Sequence, residues 1–403
     1  MLTERLYYKD TYLKEFDAVI EEISQLENGN YAIKLNRTAF YPEGGGQPSD
    51  LGKINQLSVL AVQEAGADIV HILSSAPAEA KVTGIIDWKR RFDHMQQHTG
   101  QHILSAAAYS VLGAETVGFH LGSNSCQIDL SLDDLSLESS LEIEEAANRV
   151  IFSNLPIAIH FATKETISQF PVRKDPPGDL EHIRLIDIPG IDCCPCCGTH
   201  VKQTGEVGLI KIRSWERKKG LIRLDFVCGN RALKDYQNLT FTVNQLADKL
   251  STPISELTEA FEKHLEKSAQ MEKQCLSLMQ ELHQRTALEL LASAEKHQNC
   301  SIITHIFNTE SSKSVTEIAK NIIKEPATVA LIAGIILNEQ KVHLVFASSV
   351  DNRLNMGNLL KSILPMIEGK GGGNAQLAQG GGIKTENTAA ALETAKQTIL
   401  KLL

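Results

Sequence analysis

From residue 6 to about residue 87, apolar and polar positions alternate in short runs (residues 18–23, 31–35, 59–62, 69–72 and 82–86) separated by turn residues. Period two is the signature of strands, and a small β-barrel or sandwich is expected there. The period then lengthens. Between Phe92 and Leu112, apolar residues and alanines recur at helical spacing, and Gly113 supplies a stop. Residues 116–130 read as a hairpin and 137–153 as an amphipathic helix. Strands are expected at 157–163, 183–188, 208–212 and 221–227, the last two bracketing a basic turn at 215–220. This mixture predicts an α+β sandwich.

After Gly229 the pattern becomes that of long helices, with Thr252 as a cap and Pro253 in the first helical position. A heptad register through Ile254, Leu257, Phe261, Met271, Cys275, Leu278 and Leu282 predicts a helical hairpin or coiled coil, although His264, Ser268 and Arg285 interrupt it. From Ser301 onward, strands at 302–306 and in an apolar hairpin at 329–347 alternate with helices at 315–323 and 357–367, as in an α/β domain. Residues 369–382 are rich in glycine and are either a mobile loop or a backbone cradle for phosphates. They match neither the nucleotide P-loop nor the dinucleotide fingerprint. Four parts are expected: a β-barrel domain at 1–87, an α+β sandwich at 88–235, a helical hairpin linker at 240–297 and an α/β domain at 298–403.

Composition narrows the class. A chain of 403 residues is too long for one core. Four of its eight cysteines crowd residues 193–197 and the rest are scattered, which is no disulfide framework and points to a reducing, cytoplasmic setting. The first residues lack a leader pattern, and the longest apolar run, around 328–337, is too short to cross a bilayer, so no membrane association is expected. A formal charge of −9 argues against indiscriminate binding of nucleic acid. Two local stretches are basic nevertheless. Arg90 and Arg91 run into the helix at 92–112, and Lys218 and Lys219 belong to a stretch from 201 to 224 with seven basic and two acidic residues, both candidate RNA contacts.

The chemistry centres on His98-Thr99-Gly100-Gln101-His102, in which two imidazoles four residues apart on a helix face one way. Thr99 stands where a zinc protease has its general-base glutamate, so that chemistry is absent. Residues 193–200, Cys-Cys-Pro-Cys-Cys-Gly-Thr-His, add thiolates and a third imidazole on a tight turn. One thiolate with three imidazoles suits Zn²⁺ better than Mg²⁺ or Ca²⁺, and the expected ligands are His98, His102, Cys196 and His200. A further loop, residues 38–50, has three consecutive glycines flanked by polar side chains, where backbone could approach a ligand closely.

In the same order along the chain, Phe40-Tyr41 to Gln47-Pro48, Asp87-Trp88, the two His/Cys motifs, Thr204-Gly205-Glu206 and the final glycine stretch resemble the long form of the AlaX family. These proteins are stand-alone relatives of the editing half of alanyl-tRNA synthetase. The resemblance covers nearly the whole chain. It implies that residues 88–235 form a zinc-binding editing domain and 298–403 a DHH-associated domain. It also implies a homodimer formed through the helical hairpin and C-terminal domain, and mischarged alanine tRNA as the partner. The implied activity is zinc-dependent release of serine, and to a lesser extent glycine, from that tRNA, without aminoacylation. Only Cys196 keeps the family spacing to His200, although Cys193, Cys194 or Cys197 could replace it.

An aminoacyl ester is already activated, so catalysis requires an oriented water and stabilised charge rather than a covalent nucleophile. With four protein ligands the zinc is expected to organise the ester, with solvent as nucleophile. Thr38 is the expected reader of the serine hydroxyl, Gln47 and Glu43 are expected to hold substrate, and Lys370 in the glycine stretch is expected to touch the tRNA body. Two other readings are an RNA-binding protein with a structural zinc site and an editing hydrolase for another aminoacyl-tRNA.

Overall fold

Six antiparallel strands near the start of the chain bury alternate side chains, and their sheet closes in a ring. The order is Glu15–Gln25, Tyr31–Leu35, Asp68–Leu73, Leu57–Ala65, Gly52–Ile54 and Lys81–Ile86, the last pairing back on the first. Closure leaves no strand edge open and places Ile33, Leu35, Ile54, Val62, Ile69 and Leu73 in one core. This computed structural model describes residues 2–174, 181–309, 311–336, 338–350 and 354–403. It divides into two units, Met1–Lys249 and Leu250–Leu403, and the division falls inside the segment expected as a linker.

Within the first unit, Asp87 caps the helix Trp88–Leu112 by accepting from the Arg90 amide. The helix therefore starts four residues before the apolar periodicity suggested. Gly113 closes it in the left-handed conformation. Its buried positions include His94, Gln96, Gln97, His98, Thr99, Gln101 and His102. A helix that buries this many polar groups must find each a partner. It packs on the antiparallel sheet Ile210–Lys218, Leu221–Cys228, Cys126–Leu130, Thr116–Leu121, with helix Leu137–Phe152 contributing to the same core. A Cβ at Gly100 would strike the Cys228 sulfur, so glycine sets that close approach. A smaller sheet, Ala158–Ala162, Ile183–Ile188 and Asp192–Pro195, leads into the cysteine turn.

The basic turn expected at 215–220 is mostly strand. Only Lys219 and Gly220 form the turn, both with positive φ, the geometry that matches strand twist in a two-residue hairpin. Helix Gly229–Leu250 follows directly and ends the first unit.

The second unit opens with a 3-10 turn, Ile254–Glu256, and the helix Leu257–Ala292. Pro253 precedes the turn in an extended conformation rather than starting the helix, and no side chain caps either element. Six strands follow in the order Glu295–His297, Cys300–Thr309, Thr328–Ile336, Lys341–Ser348, Leu377–Gly382, Lys370–Gly373. Cys300–Thr309 and Thr328–Ile336 are parallel and joined by helix Ser312–Ile322. Alternate residues of Thr328–Ile336 enter two different cores: Val329, Leu331 and Ala333 on one face, Ala330 and Ile332 on the other. Leu337, inside the expected apolar hairpin, lies outside the described residues.

The glycine-rich stretch is neither of the two expected forms. It makes the last two strands of this sheet, and a Cβ at Gly380 would meet Leu364 at 2.7 Å and one at Gly382 would run into the Ile367 carbonyl. The glycines there allow backbone to lie against backbone and against Leu364–Ile367. Among the described residues, no helix is long and apolar enough to cross a membrane.

Candidate metal centre and its cavity

The buried helix and the cysteine turn bring His98, His102, Cys196 and His200 together, with one donor atom from each and all four within 4.8 Å of one another. Cys196 Sγ lies 3.4 Å from His98 Nε2 and 3.3 Å from His200 Nε2. Two ligands about 2.0–2.3 Å from one ion at a tetrahedral angle stand about 3.5 Å apart, so these separations suit a shared ion. Cys193 instead packs with Ala162, Ile183 and Leu185. Cys194 belongs to a second buried group with His102 and Asp192, and Cys197 is exposed.

Each imidazole is aimed by a partner on its other nitrogen. His98 Nδ1 donates to Gln47 Oε1 at 2.7 Å and His102 Nδ1 to Asp192 Oδ2 at 2.9 Å, while His200 Nδ1 pairs with the Thr99 hydroxyl at 3.1 Å. Nε2 of each ring is left for the cluster, as in metal sites whose outer partners fix the tautomer. Those partners are held in turn. Gln47 donates to Thr199 Oγ1 at 2.9 Å, and Arg173 Nε donates to Asp192 Oδ1 at 2.6 Å. A Cβ at Gly198 would collide with the His98 ring, so glycine there lets the turn close over the helix.

Burial and mutual charge set the protonation of this group. Burial pushes the Cys196 thiol up, but the imidazoles of His98 and His200 and a bond from His102 outweigh it and hold the thiol well below its usual range. The thiolate is the form that binds metal. Burial lowers His200 to about 3, keeping it neutral. For His102 burial opposes protonation, yet Asp192, Cys194 and Cys196 together raise its pKa well above the ordinary value. A thiolate-imidazole set of this kind takes up a divalent cation in competition with protons.

His98, His102 and Cys196 form part of the wall of a cavity of about 590 Å³, together with Tyr8, Tyr41, Gln101, Phe119, Lys174 and Arg184. The other residues expected at the site divide sharply. Gln47 is there as the acceptor for His98; it is buried and is not part of the cavity wall. Thr38 does not line the cavity. It is fully buried, its hydroxyl 2.8 Å from His71 Nε2 and accepting from the Phe40 amide. Glu43 is exposed and is not part of the cavity wall either.

Arg91 does not reach the surface. It is wholly buried, paired with both oxygens of Asp50 and donating to the Thr11 carbonyl at 2.8 Å, which ties the helix start to the 38–50 loop. Arg90 is half-buried and donates to the Ser49 carbonyl at 3.0 Å. Much of the basic stretch at 201–224 is met by acids from elsewhere in the chain: Arg223 by Asp129 at 2.7 Å and Lys211 by Glu144 at 2.8 Å. Lys218 and Lys219 remain exposed at the hairpin tip. The pairing register puts neighbouring Ile222 level with Leu130 and Thr116, a cavity residue two strands away, roughly 10 Å at ordinary strand spacing. Lys370 is exposed on the edge strand of the second unit.

Residues to which the sequence assigned no role complete the site. Asp192 and Thr99 orient ligands, and Tyr8, Tyr41, Arg173, Lys174 and Arg184 line the cavity. Thr99 lies inside one ligand motif and Asp192 adjoins the other, but nothing in either motif says which way their side chains turn.

This combination of a thiolate-imidazole cluster and an open cavity sits in a chain that two family models match. Residues 183–225 match the threonyl and alanyl tRNA synthetase second additional domain, and residues 299–401 match the DHHA1 domain. The chain is 33% identical over 393 residues to the alanyl-tRNA editing protein AlaX-L of Pyrococcus horikoshii, covering 94% of each. It is 30% identical to the alanyl-tRNA editing protein Aarsd1 of Danio rerio, over 92% of each chain. It is also 31% identical to an alanine--tRNA ligase of Pyrococcus abyssi, along its whole length but over 44% of the ligase. The chain belongs to the alanyl-tRNA editing protein family, in its AlaX-L form.

Proposed function

We propose that the protein is a zinc-dependent deacylase that hydrolyses mischarged alanine tRNA in trans, releasing serine and, less readily, glycine. The observation that carries this reading is the convergence of four donors, of which His98, His102 and Cys196 line a cavity large enough for an aminoacylated nucleotide. The donor set favours zinc, since a thiolate with imidazoles is too soft for magnesium or calcium. When bound there, zinc would supply an electrophilic anchor for the ester and its amino group.

The rest falls to the protein. Gln47, Asp192 and Thr99 hold the imidazoles so that the site needs no rearrangement as charge develops. Tyr8, Tyr41 and Phe119 offer aromatic faces for the terminal base, and Lys174 stands at the wall where the phosphates enter. Among the described residues, no serine lines the cavity, and water is the nucleophile in this reading. Gln101, which lines the cavity one residue from His102 and donates to Ser105 at 2.8 Å, takes over from Thr38 as the reader of the serine hydroxyl.

Hydrolysis of a panel of tRNAs charged with serine, glycine, alanine and threonine tests this directly. Release of serine and glycine from alanine tRNA with alanine spared is expected, and sparing of all four would refute it. A four-ligand set also occurs in purely structural zinc sites, which is the second reading. A protein that binds alanine tRNA but spares every ester would be of that kind.

Lys218 and Lys219 serve as the RNA rim in this reading, and Lys370 contacts the tRNA body. Charge reversal at the first pair should raise KM and flatten its salt dependence with turnover retained. Loss of Lys370 should weaken full-length tRNA more than an acceptor-stem mimic. The helix Leu257–Ala292 pairs with a second copy, because Phe261, Met271, Leu278 and Leu282 of its heptad seam are exposed. Sedimentation of a Leu278→Glu, Leu282→Glu variant as a monomer is expected, and an intact dimer would exclude that seam.

A further inference from the structure

Arg184 stands at the start of strand Ile183–Ile188, is 5% exposed and lines the metal cavity. Its guanidinium lies over the Tyr8 ring at 5.3 Å. One nitrogen, Nη1, donates to the Cys196 carbonyl at 2.7 Å and the Gly198 carbonyl at 3.0 Å, bracing the turn that presents the thiolate. The other two, Nε and Nη2, are buried without any partner. The Tyr7 hydroxyl, in the same cavity wall, is also buried and unpartnered. An arginine whose Nε and Nη2 edge is unmet in a cavity wall is the arrangement that recognises a phosphate or carboxylate through two parallel bonds.

The cavity's other groups choose between these anions. An aminoacyl ester has no free carboxylate, so on the reading above the anion nearest the reacting carbonyl is the phosphate on the 5′ side of the terminal nucleotide, one ribose away from the esterified oxygen. Arg184 is bonded to the carbonyl of a candidate metal ligand, which puts it within about one nucleotide of the cluster. Arg173 Nε is held by Asp192 and Arg5 Nη1 by Glu64, and Lys174 reaches the Thr116 carbonyl at 3.3 Å, whereas among the described residues Arg184 is the guanidinium of this wall with buried donors that have no partner.

We infer that Arg184, with the Tyr7 hydroxyl of the same cavity wall, binds the 5′-phosphate of the terminal adenosine and so fixes the register of the ester over the metal centre. On this inference Nε and Nη2 are the donors that the phosphate meets, while Nη1 keeps its two carbonyls. Arg184 thereby links substrate binding to the turn that holds Cys196, through its third nitrogen.

The inference rests on the deacylase reading but is tested apart from it, by binding. Adenosine 5′-monophosphate and adenosine are titrated into the zinc-loaded protein by calorimetry. The monophosphate is expected to bind at least ten-fold more tightly, a preference that falls below two-fold in Arg184→Gln and is partly kept in Arg184→Lys. Zinc content of each variant is measured alongside, because Nη1 also braces the turn. Should both variants lose zinc, the comparison in the wild-type protein decides: equal affinity for adenosine and its monophosphate overturns the inference. So does a preference that survives in zinc-replete Arg184→Gln. Binding with the predicted preference but no hydrolysis of any aminoacyl-tRNA would leave the phosphate site standing and remove the deacylase reading instead.

Discussion

Gln47 Oε1 accepts the Nδ1 proton of His98 at 2.7 Å, joining the glycine loop of the ring-closed sheet to the helix that carries half of the metal cluster. The loop therefore shapes the centre without contributing a ligand. Gln47→Ala should weaken zinc binding about 10–100-fold, the usual effect of losing an outer partner, while Gln47→Glu keeps an acceptor and most of the affinity. Competition with a chromogenic chelator measures both. Unchanged affinity in Gln47→Ala would return Gln47 to a substrate-holding role.

The buried pair of Arg91 and Asp50 ties the same loop to the same helix about two turns earlier. Removing one partner of a fully buried pair leaves an uncompensated charge. Arg91→Met should therefore destabilise the first unit by about 3–5 kcal/mol in urea unfolding, whereas Lys218→Glu at the hairpin tip should change stability by less than about 0.5 kcal/mol. A stable Arg91→Met protein with weakened tRNA binding would put this arginine back among the RNA contacts.

Neighbouring residues show why such distinctions were only partly legible. His98, His102, Cys196 and His200 could be read from spacing, because i and i+4 on a helix share a face and a Cys/His turn has few other uses. Arg90 and Arg91 look alike in sequence, yet one residue of helix turns the side chain by about 100°, and that separates a half-exposed arginine from a buried one. The acids that neutralise residues 201–224 come from Asp129 and Glu144, far away along the chain. Glycines of residues 369–382 carry no alternation to betray a strand, so their part in the last two strands was invisible. The ring-closed sheet, the histidine helix and the α/β sheet of the second unit were legible because their burial follows simple periods.

Thr38 and Gln101 give a selectivity test. With its hydroxyl committed to His71 and Phe40, Thr38→Val should cost about 1 kcal/mol of stability and leave the preference for serine over alanine in place. Gln101→Leu should reduce that preference at least ten-fold with zinc retained. Competition between the two mischarged tRNAs reads it out, and the opposite pattern would restore Thr38 as the reader.

His71 predicts a pH dependence. Burial lowers its pKa from 6.5 to about 4 in the folded protein. Between those values the unfolded chain binds more protons, so stability rises with pH there. The contribution is fully present above pH 6.5 and is lost as pH falls through the folded pKa, on the order of 3 kcal/mol in all. His71→Asn should show a flatter profile from pH 6.5 to 4 in urea titrations. Parallel profiles would mean that His71 is not kept neutral by burial.

The most direct measurement is deacylation of serine-charged alanine tRNA by the purified protein before chelation, after it, and after zinc is restored, with metal content followed throughout. One zinc per chain is expected, with activity lost on chelation and recovered on addition of zinc, and His102→Ala and Cys196→Ala lacking both metal and activity. Full hydrolysis by the chelated protein, or full zinc occupancy in either variant, would contradict a metal centre built from His98, His102, Cys196 and His200.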